Sequence, residues 1–331
     1  MRTVAAGMLF VVLTAYAMFG GADFGAGFWD LTAGGAERGR RPRALIDHSI
    51  GPVWEANHVW LIFCLVLAWT AFPPVFAAVM RTLYVPLGLA ALGIVLRGSG
   101  FAFRKVSVRT SAQRATGATF AASSVVTPFF FGTAAGAIAT GRVPLHRSAG
   151  SLEIWFTPTC LFTGALAVVT CAYLAAVFLT AEARQRGEAD LEIYFRNRSR
   201  LAAAGAGLIS AGGLVVLHRA APHLLHRLLG PGIPFVILSA LTGVGVLGLL
   251  HKADPRLLRV MAALAVGSVI AGWGVAQYPY LLGNHASIAS AAAPMATLET
   301  LAGIFVVAAA LVLPSLGILY VLHQRGRLES G

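Results

Sequence analysis

The chain has 331 residues, 57% of them apolar and only 11% charged, with a formal net charge of +12 and a mean hydropathy of +0.76. Soluble domains carry charge on roughly a quarter of their residues, so this composition excludes one and points to a polytopic membrane protein. Nor does the positive charge suggest nucleic acid, because it sits in short connectors between apolar runs, where it sets membrane orientation.

Nine apolar spans follow in chain order, over residues 4–31, 51–71, 74–96, 116–140, 154–180, 201–217, 233–250, 260–277 and 301–322. They predict an all-α integral membrane protein, one transmembrane domain over residues 1–331 built as a bundle of about nine helices. Arg2 precedes the first run and Ala15-Tyr16-Ala17 resembles a leader-cleavage site. The run continues to Leu31, however, and the strongest basic cluster follows it, so the first span is read as retained. Connectors 36–43, 97–114, 182–200, 252–259 and 323–327 hold 4, 5, 5, 3 and 2 Lys or Arg, 19 of the 25 in the chain. This asymmetry predicts an outside N-terminus and a cytoplasmic C-terminus. The mixed-charge stretch 181–200 is expected to extend a helix into the cytoplasm, and the small-residue connector 279–298 to fold back at the outer surface. Gly21 and Gly25 have the small-xxx-small spacing that lets helices approach closely.

Ionisable side chains inside spans are unfavourable by about 2.5–3.5 kcal/mol each at mid-helix and need a reason. The first span carries Asp23 and Asp30, seven apart and so on one face. Asp23 lies about 12 Å in from Leu31, whereas Asp30 reads as an exposed interfacial acid. The second span opens "GPVWEANHVW", with Pro52 at a helix start. Glu55 and His58 share a face, as do Trp54 and His58, and Asn57 stands beside them. Asp23, Glu55 and His58 are therefore candidates for a proton path entering from the cytoplasm. A structural hydrogen-bonded cluster explains the same spacing equally well. Elsewhere Arg81 is expected to snorkel, Asp47 and His48 to lie at the interface, and Glu299 to favour the N-terminus of the last span. His285 reads as solvated, the six tryptophans mostly as an aromatic belt, and Cys64, Cys160 and Cys171 as small buried hydrophobes. No His or Met spacing selects a haem-ligand pair.

Three stretches together resemble subunit II of cytochrome bd-type quinol oxidases: "GADFGAGFWDL" in the first span, "IGPVWEANHVWLIF" at the second and "LRGSGFAFR" after the third. Tyr278-Pro279 and the final "TLAGIFVVAAALVLPSLGILY" fit the family more loosely. The resemblance implies a heterodimer of two similarly folded helical subunits in a bacterial cytoplasmic membrane, often with single-span accessory peptides. It puts the b- and d-type haems and the quinol site on subunit I, which reduces oxygen to water with cytoplasmic protons. It assigns this chain no catalytic residue, cofactor or metal, and leaves a bound quinone or lipid open, as it does the choice of quinol. It implies that this chain supports assembly and lends Asp23 and Glu55 to proton uptake, with Trp54, Asn57, Asp30, Arg97 and Arg104 as supporting motif residues.

Three positions depart from the family pattern. Gly20 and Ala102 stand where family members often carry acids, and His58 occupies a place where other polar residues are common. A route relying on those acids cannot run unchanged: either His58 or water fills in, or the acids are not essential, or protons enter mainly through subunit I. Two rivals remain, a purely structural scaffold subunit and a secondary transporter using the same acids for ion coupling. The transporter fold usually pairs broken helices in its two halves, and the sequence shows no such pair.

Overall fold

The computed structural model describes residues 1–50, 54–106, 110–145 and 152–324, with side chains described except at 36, 50, 54, 55, 104–106, 110–114, 320, 323 and 324. The helices run α1 (Arg2–Leu31), α2 (Ala36–Ile50), α3 (Trp54–Ala71), α4 (Pro73–Thr82), α5 (Tyr84–Val106), α6 (Thr110–Ala139) and α7 (Pro158–Gln185). They continue as α8 (Ala189–Ala220), α9 (Pro222–Leu229), α10 (Ile233–Leu249), α11 (Pro255–Gln277), α12 (Ile288–Ala291) and α13 (Met295–Gln324). A two-stranded antiparallel hairpin, β1 (Tyr280–Leu282) and β2 (Ala286–Ser287), joins α11 to α12. Residues 279–298 thus fold back as hairpin and short helix. Among the described residues seven helices are long and apolar enough to cross a membrane, and two bent pairs, α3 with α4 and α9 with α10, raise the number to as many as nine.

Local chemistry sets the helix starts. The Thr157 hydroxyl accepts from the Cys160 N–H ahead of Pro158, and the Asp254 carboxylate accepts from the Arg256 N–H ahead of Pro255. In both, a side chain takes an orphan donor and proline fills a position that needs none. Gly34, at φ +98°, turns the chain sharply after α1, which lets α2 fold back beneath the end of that helix.

The expected third span, 74–96, is corrected. The double proline at 73–74 ends α3 at Ala71 and opens α4, which departs from α3 by 117°. A second helix, α5, then begins at Tyr84, and the apolar stretch that can span is Tyr84–Phe103. The span 74–96 merges two helices across Leu83, because both are apolar. The motif "LRGSGFAFR" consequently lies inside α5 and not in a cytoplasmic connector.

The absence of paired interrupted spans is also corrected: α9 and α10 form a second bent pair, at 73°. Each break leaves one long helix, the 18 residues of α3 before the first and the 17 of α10 after the second, a rise of about 26–27 Å, so both breaks fall near span ends. They differ in this from the mid-membrane breaks of transporters.

The interior is organised on α1 and α7. Their approach is close: a Cβ on Gly25 would overlap the Cys171 carbonyl, and Gly21 lies against the Cys171 thiol. Trp29 is buried there, its indole Nε1–H donating 2.8 Å to the Ala172 carbonyl. Trp155 is buried as well, so an aromatic belt does not account for these two. Cys160 and Cys171 are buried and Cys64 half-buried, all as free thiols. In contrast, α8 and α13 are only 6% buried over their apolar windows.

Charge gathers where α2, the α7–α8 turn and the α10–α11 turn meet. Arg41 pairs with Glu188 and Asp190, Arg184 with Glu192, and Glu182 with Arg186 and Arg259. The mixed-charge stretch 181–200 is helical on both sides of that turn, as its composition suggested. Glu299 does not open the last helix: α13 starts at Met295 and has no acid in its first turn.

A buried polar cluster as the candidate functional site

Asp23 sits on the inner face of α1, 7% exposed. Its Oδ2 accepts a 2.6 Å hydrogen bond from the Nδ2 of Asn57 on α3, which is 3% exposed. From α5, the Arg97 Nη2 donates 3.0 Å to the Asp23 backbone carbonyl and Nε donates 3.1 Å to Ser124 Oγ on α6. The Ser124 hydroxyl in turn donates a 2.7 Å hydrogen bond to the Phe120 carbonyl. Four helices are thereby pinned by one constellation.

Arg97 is the largest of the fully buried side chains, at 1% exposure. Its sequence reading, as part of a basic cytoplasmic connector, is overturned because α5 extends to Val106. Residue 97 then lies about 14 Å from that end, at nearly the same depth as Asp23 on α1. A buried cation must be compensated by hydrogen bonds and opposite charge. Here the guanidinium also lies 5.1 Å from the ring centres of both Phe24 and Phe120, on their electron-rich faces. With α5 starting at Tyr84, the arginine stands thirteen residues into an apolar helix, a mid-membrane charge.

Asp30 is corrected too. It is 4% exposed, not interfacial, and its Oδ1 accepts 2.7 Å from Arg43 Nε on α2. Arg43 Nη2 donates 2.6 Å to the Gly34 carbonyl, so a cation closes the C-terminal end of α1, where the helix dipole favours it. The pairing depends on the turn at Gly34, which residue spacing does not encode.

The neighbourhood of His58 answers part of the departure at Gly20. The Tyr16 ring meets the His58 ring edge-on at 6.4 Å between centres, and it lies over Gly20, where a Cβ would come within 3.0 Å of its Cε2. The volume a larger residue would need at position 20 is therefore filled by Tyr16. Its hydroxyl is buried without a hydrogen-bond partner among the described residues. Ala102 is exposed and faces out of the bundle, with Phe101 turned inward, so position 102 takes no part in the cluster. Glu55 and Trp54 occupy the first turn of α3 and Arg104 the end of α5; their side chains lie outside the described residues. Among the described residues no three His, Cys, Asp or Glu side chains converge as a metal-ligand set.

Residues 1–323 match the family model described as cytochrome bd terminal oxidase subunit II. The chain is 33% identical over 94 residues to the cytochrome bd ubiquinol oxidase subunit 2 of Bacillus subtilis (strain 168), covering 28% of this chain and 27% of that one. It is 30% identical over 136 residues to the cytochrome bd-I ubiquinol oxidase subunit 2 of Escherichia coli (strain K12), covering 41% of this chain and 35% of the relative. The aligned stretches thus span about a quarter to a third of these curated relatives. In fold the chain is similar to a chain of the bd oxidase from Geobacillus thermodenitrificans, with a TM-score of 0.81 at 22% identity over 97% of this chain and 98% of that one. That likeness fixes the multi-helix architecture, and the family match over nearly the whole length fixes the lineage: the chain belongs to the cytochrome bd terminal oxidase subunit II family.

Proposed function

We propose that the chain is the second subunit of a quinol:oxygen oxidoreductase in the bacterial cytoplasmic membrane and is not catalytic alone. Its support is family membership over residues 1–323 and two relatives named as ubiquinol oxidase subunits. In this reading a haem-bearing subunit I holds the b- and d-type haems and the quinol site, and this chain supports its assembly. The N-terminus faces outside, and the Arg41, Arg43, Arg184 and Arg259 end of the bundle faces the cytoplasm, as clustered basic residues favour.

The chain's own contribution is proton uptake through Asp23, with Glu55 nearer the entrance and His58 beside the path. One observation carries this: a carboxylate 7% exposed, held by Asn57 at 2.6 Å and backed by Arg97, in the middle of an apolar bundle. A group so placed takes up and releases a proton only if water or another acid reaches it, a role this reading gives to Glu55 in the first turn of α3. The bent helix pairs lend the transporter reading nothing, since they break at span ends.

The test is to isolate the tagged chain from its own membrane with its partners and record oxygen uptake beside the reduced-minus-oxidised haem spectrum. The proposal expects a co-purifying helical partner bearing b- and d-type haems, and loss of oxygen uptake with an intact spectrum in Asp23→Asn. A colourless chain would sink the oxidase reading. Full turnover in Asp23→Asn would leave the scaffold role alone.

A further inference from the structure

At the end of the bundle opposite the Arg–Glu network, α9, the last turn of α11 and the β1–β2 turn border a partly open cavity of about 220 Å³. His223 and Arg227 face it from α9, four residues apart and so on one side of that helix. Gln277, Tyr280 and Asn284 complete the wall. No acid lines the cavity, and Arg227 makes no ion pair among the described residues.

Two of the lining residues hold a buried polar atom with no hydrogen-bond partner among the described residues: Arg227 Nε and Gln277 Oε1. Gln277 is 8% exposed, and its orientation is determined because Nε2 donates 3.1 Å to the Gly283 carbonyl, leaving Oε1 as the atom without a donor. Buried polar groups are nearly always hydrogen-bonded, so two such atoms bordering one cavity are an indication of an occupant. Leu224, Ala276, Leu228 and Trp273 pack behind them as an apolar cluster.

The chemistry of the lining selects the occupant's class. A planar guanidinium fork with a second basic group and an amide matches phosphate oxygens. The Gln277 acceptor favours an occupant that also carries a hydrogen-bond donor. The volume falls below the roughly 300–1,000 Å³ of drug-sized pockets, which suits a headgroup-sized ion. The eight-residue α9 turns through 73° into α10 and leaves Leu229 exposed, the position of a helix lying along a membrane boundary. We propose that this cavity binds a phosphate group bearing a hydrogen-bond donor, as a phospholipid headgroup or as the free ion.

Native mass spectrometry of the delipidated intact complex tests this, with phosphatidylglycerol and inorganic phosphate as separate probes. Arg227→Gln is expected to lower the occupancy of one bound ligand by about tenfold, a charge-assisted contact's worth, and Arg227→Lys to restore part of it. Other lipid sites are common to wild type and variant and cancel in the difference. Arginine-dependent retention of phosphatidylglycerol alone identifies a headgroup site, and arginine-dependent retention of inorganic phosphate identifies a free-ion site. Should Arg227→Gln fail to assemble, Asn284→Ala in the exposed turn reads the same site with a smaller loss expected. Occupancy of both probes unchanged by substitution, or binding of neither, overturns the proposal.

Discussion

The Asn57 amide stands 2.6 Å from the Asp23 carboxylate and ties α3 to α1 in the bundle interior. An amide N–H donated to a carboxylate is stronger than a bond between neutral groups, and it holds the acid in one orientation without neutralising it. Asp23 is thereby fixed in position on the inner face of α1.

Asp23→Asn keeps the size of the side chain and removes its capacity to carry a proton. Oxygen uptake by the complex is expected to fall by about a hundredfold, the lower end of the range for losing a positioned acid–base group, while the haem spectrum stays that of the parent. Rates measured in membranes of equal haem content give the comparison.

Arg97→Leu removes two charge-assisted hydrogen bonds and leaves Asp23 buried without its counter-charge. The expected loss is about 3 kcal/mol, read as a lower melting temperature of the solubilised complex or as reduced yield. Arg97→Leu combined with Asp23→Asn should be less damaged than Arg97→Leu alone, because the uncompensated carboxylate is gone. Equal melting of single and double variants would refute the electrostatic link between them.

Gly25→Ala places a methyl group against the Cys171 carbonyl and must push α1 from α7. Overpacking of this kind costs about 1–3 kcal/mol. Gly7→Ala on the same helix meets nothing within 4 Å and is expected to be neutral or mildly stabilising by helix propensity. The two melting curves, taken side by side, separate packing from propensity.

The two arginines of α2 should differ. Arg43→Gln deprives buried Asp30 of its 2.7 Å partner and is expected to cost about 1–2 kcal/mol. Arg41→Gln removes exposed pairs to Glu188 and Asp190, which salt and water already screen, and should leave the melting temperature unchanged.

Tyr16→Phe deletes a buried hydroxyl without a hydrogen-bond partner among the described residues. Removing an unsatisfied polar group is neutral or stabilising, by up to about 1 kcal/mol. A clear fall in melting temperature would mean that the hydroxyl is hydrogen-bonded in the membrane.

The apolar spans were legible because lipid demands them residue by residue, and Asp23 and Asn57 were legible because polar atoms stand out in such runs. Arg97 was not, since Arg104 and Lys105 follow closely and made one basic stretch of a buried cation and a helix end. Trp29 and Asp30 were misjudged for a related reason: depth was inferred from distance to the span end, whereas α2 folds back and buries that end. The break between α4 and α5 was hidden because hydropathy is continuous across Leu83. Spacing within one helix is readable; which helix returns to cover it depends on turns such as Gly34.

Arg97 also bears on biosynthesis. As α5 leaves the ribosome, its arginine has one of its two hydrogen-bonding acceptors already made, the Asp23 carbonyl on α1, and the other, Ser124, still to be translated. A mid-helix arginine disfavours insertion by about 2.5–3.5 kcal/mol, so α5 is a poor solitary passenger in the bilayer. The hairpin of α5 with α6 is then the natural unit of insertion, docking on an α1 that arrived first.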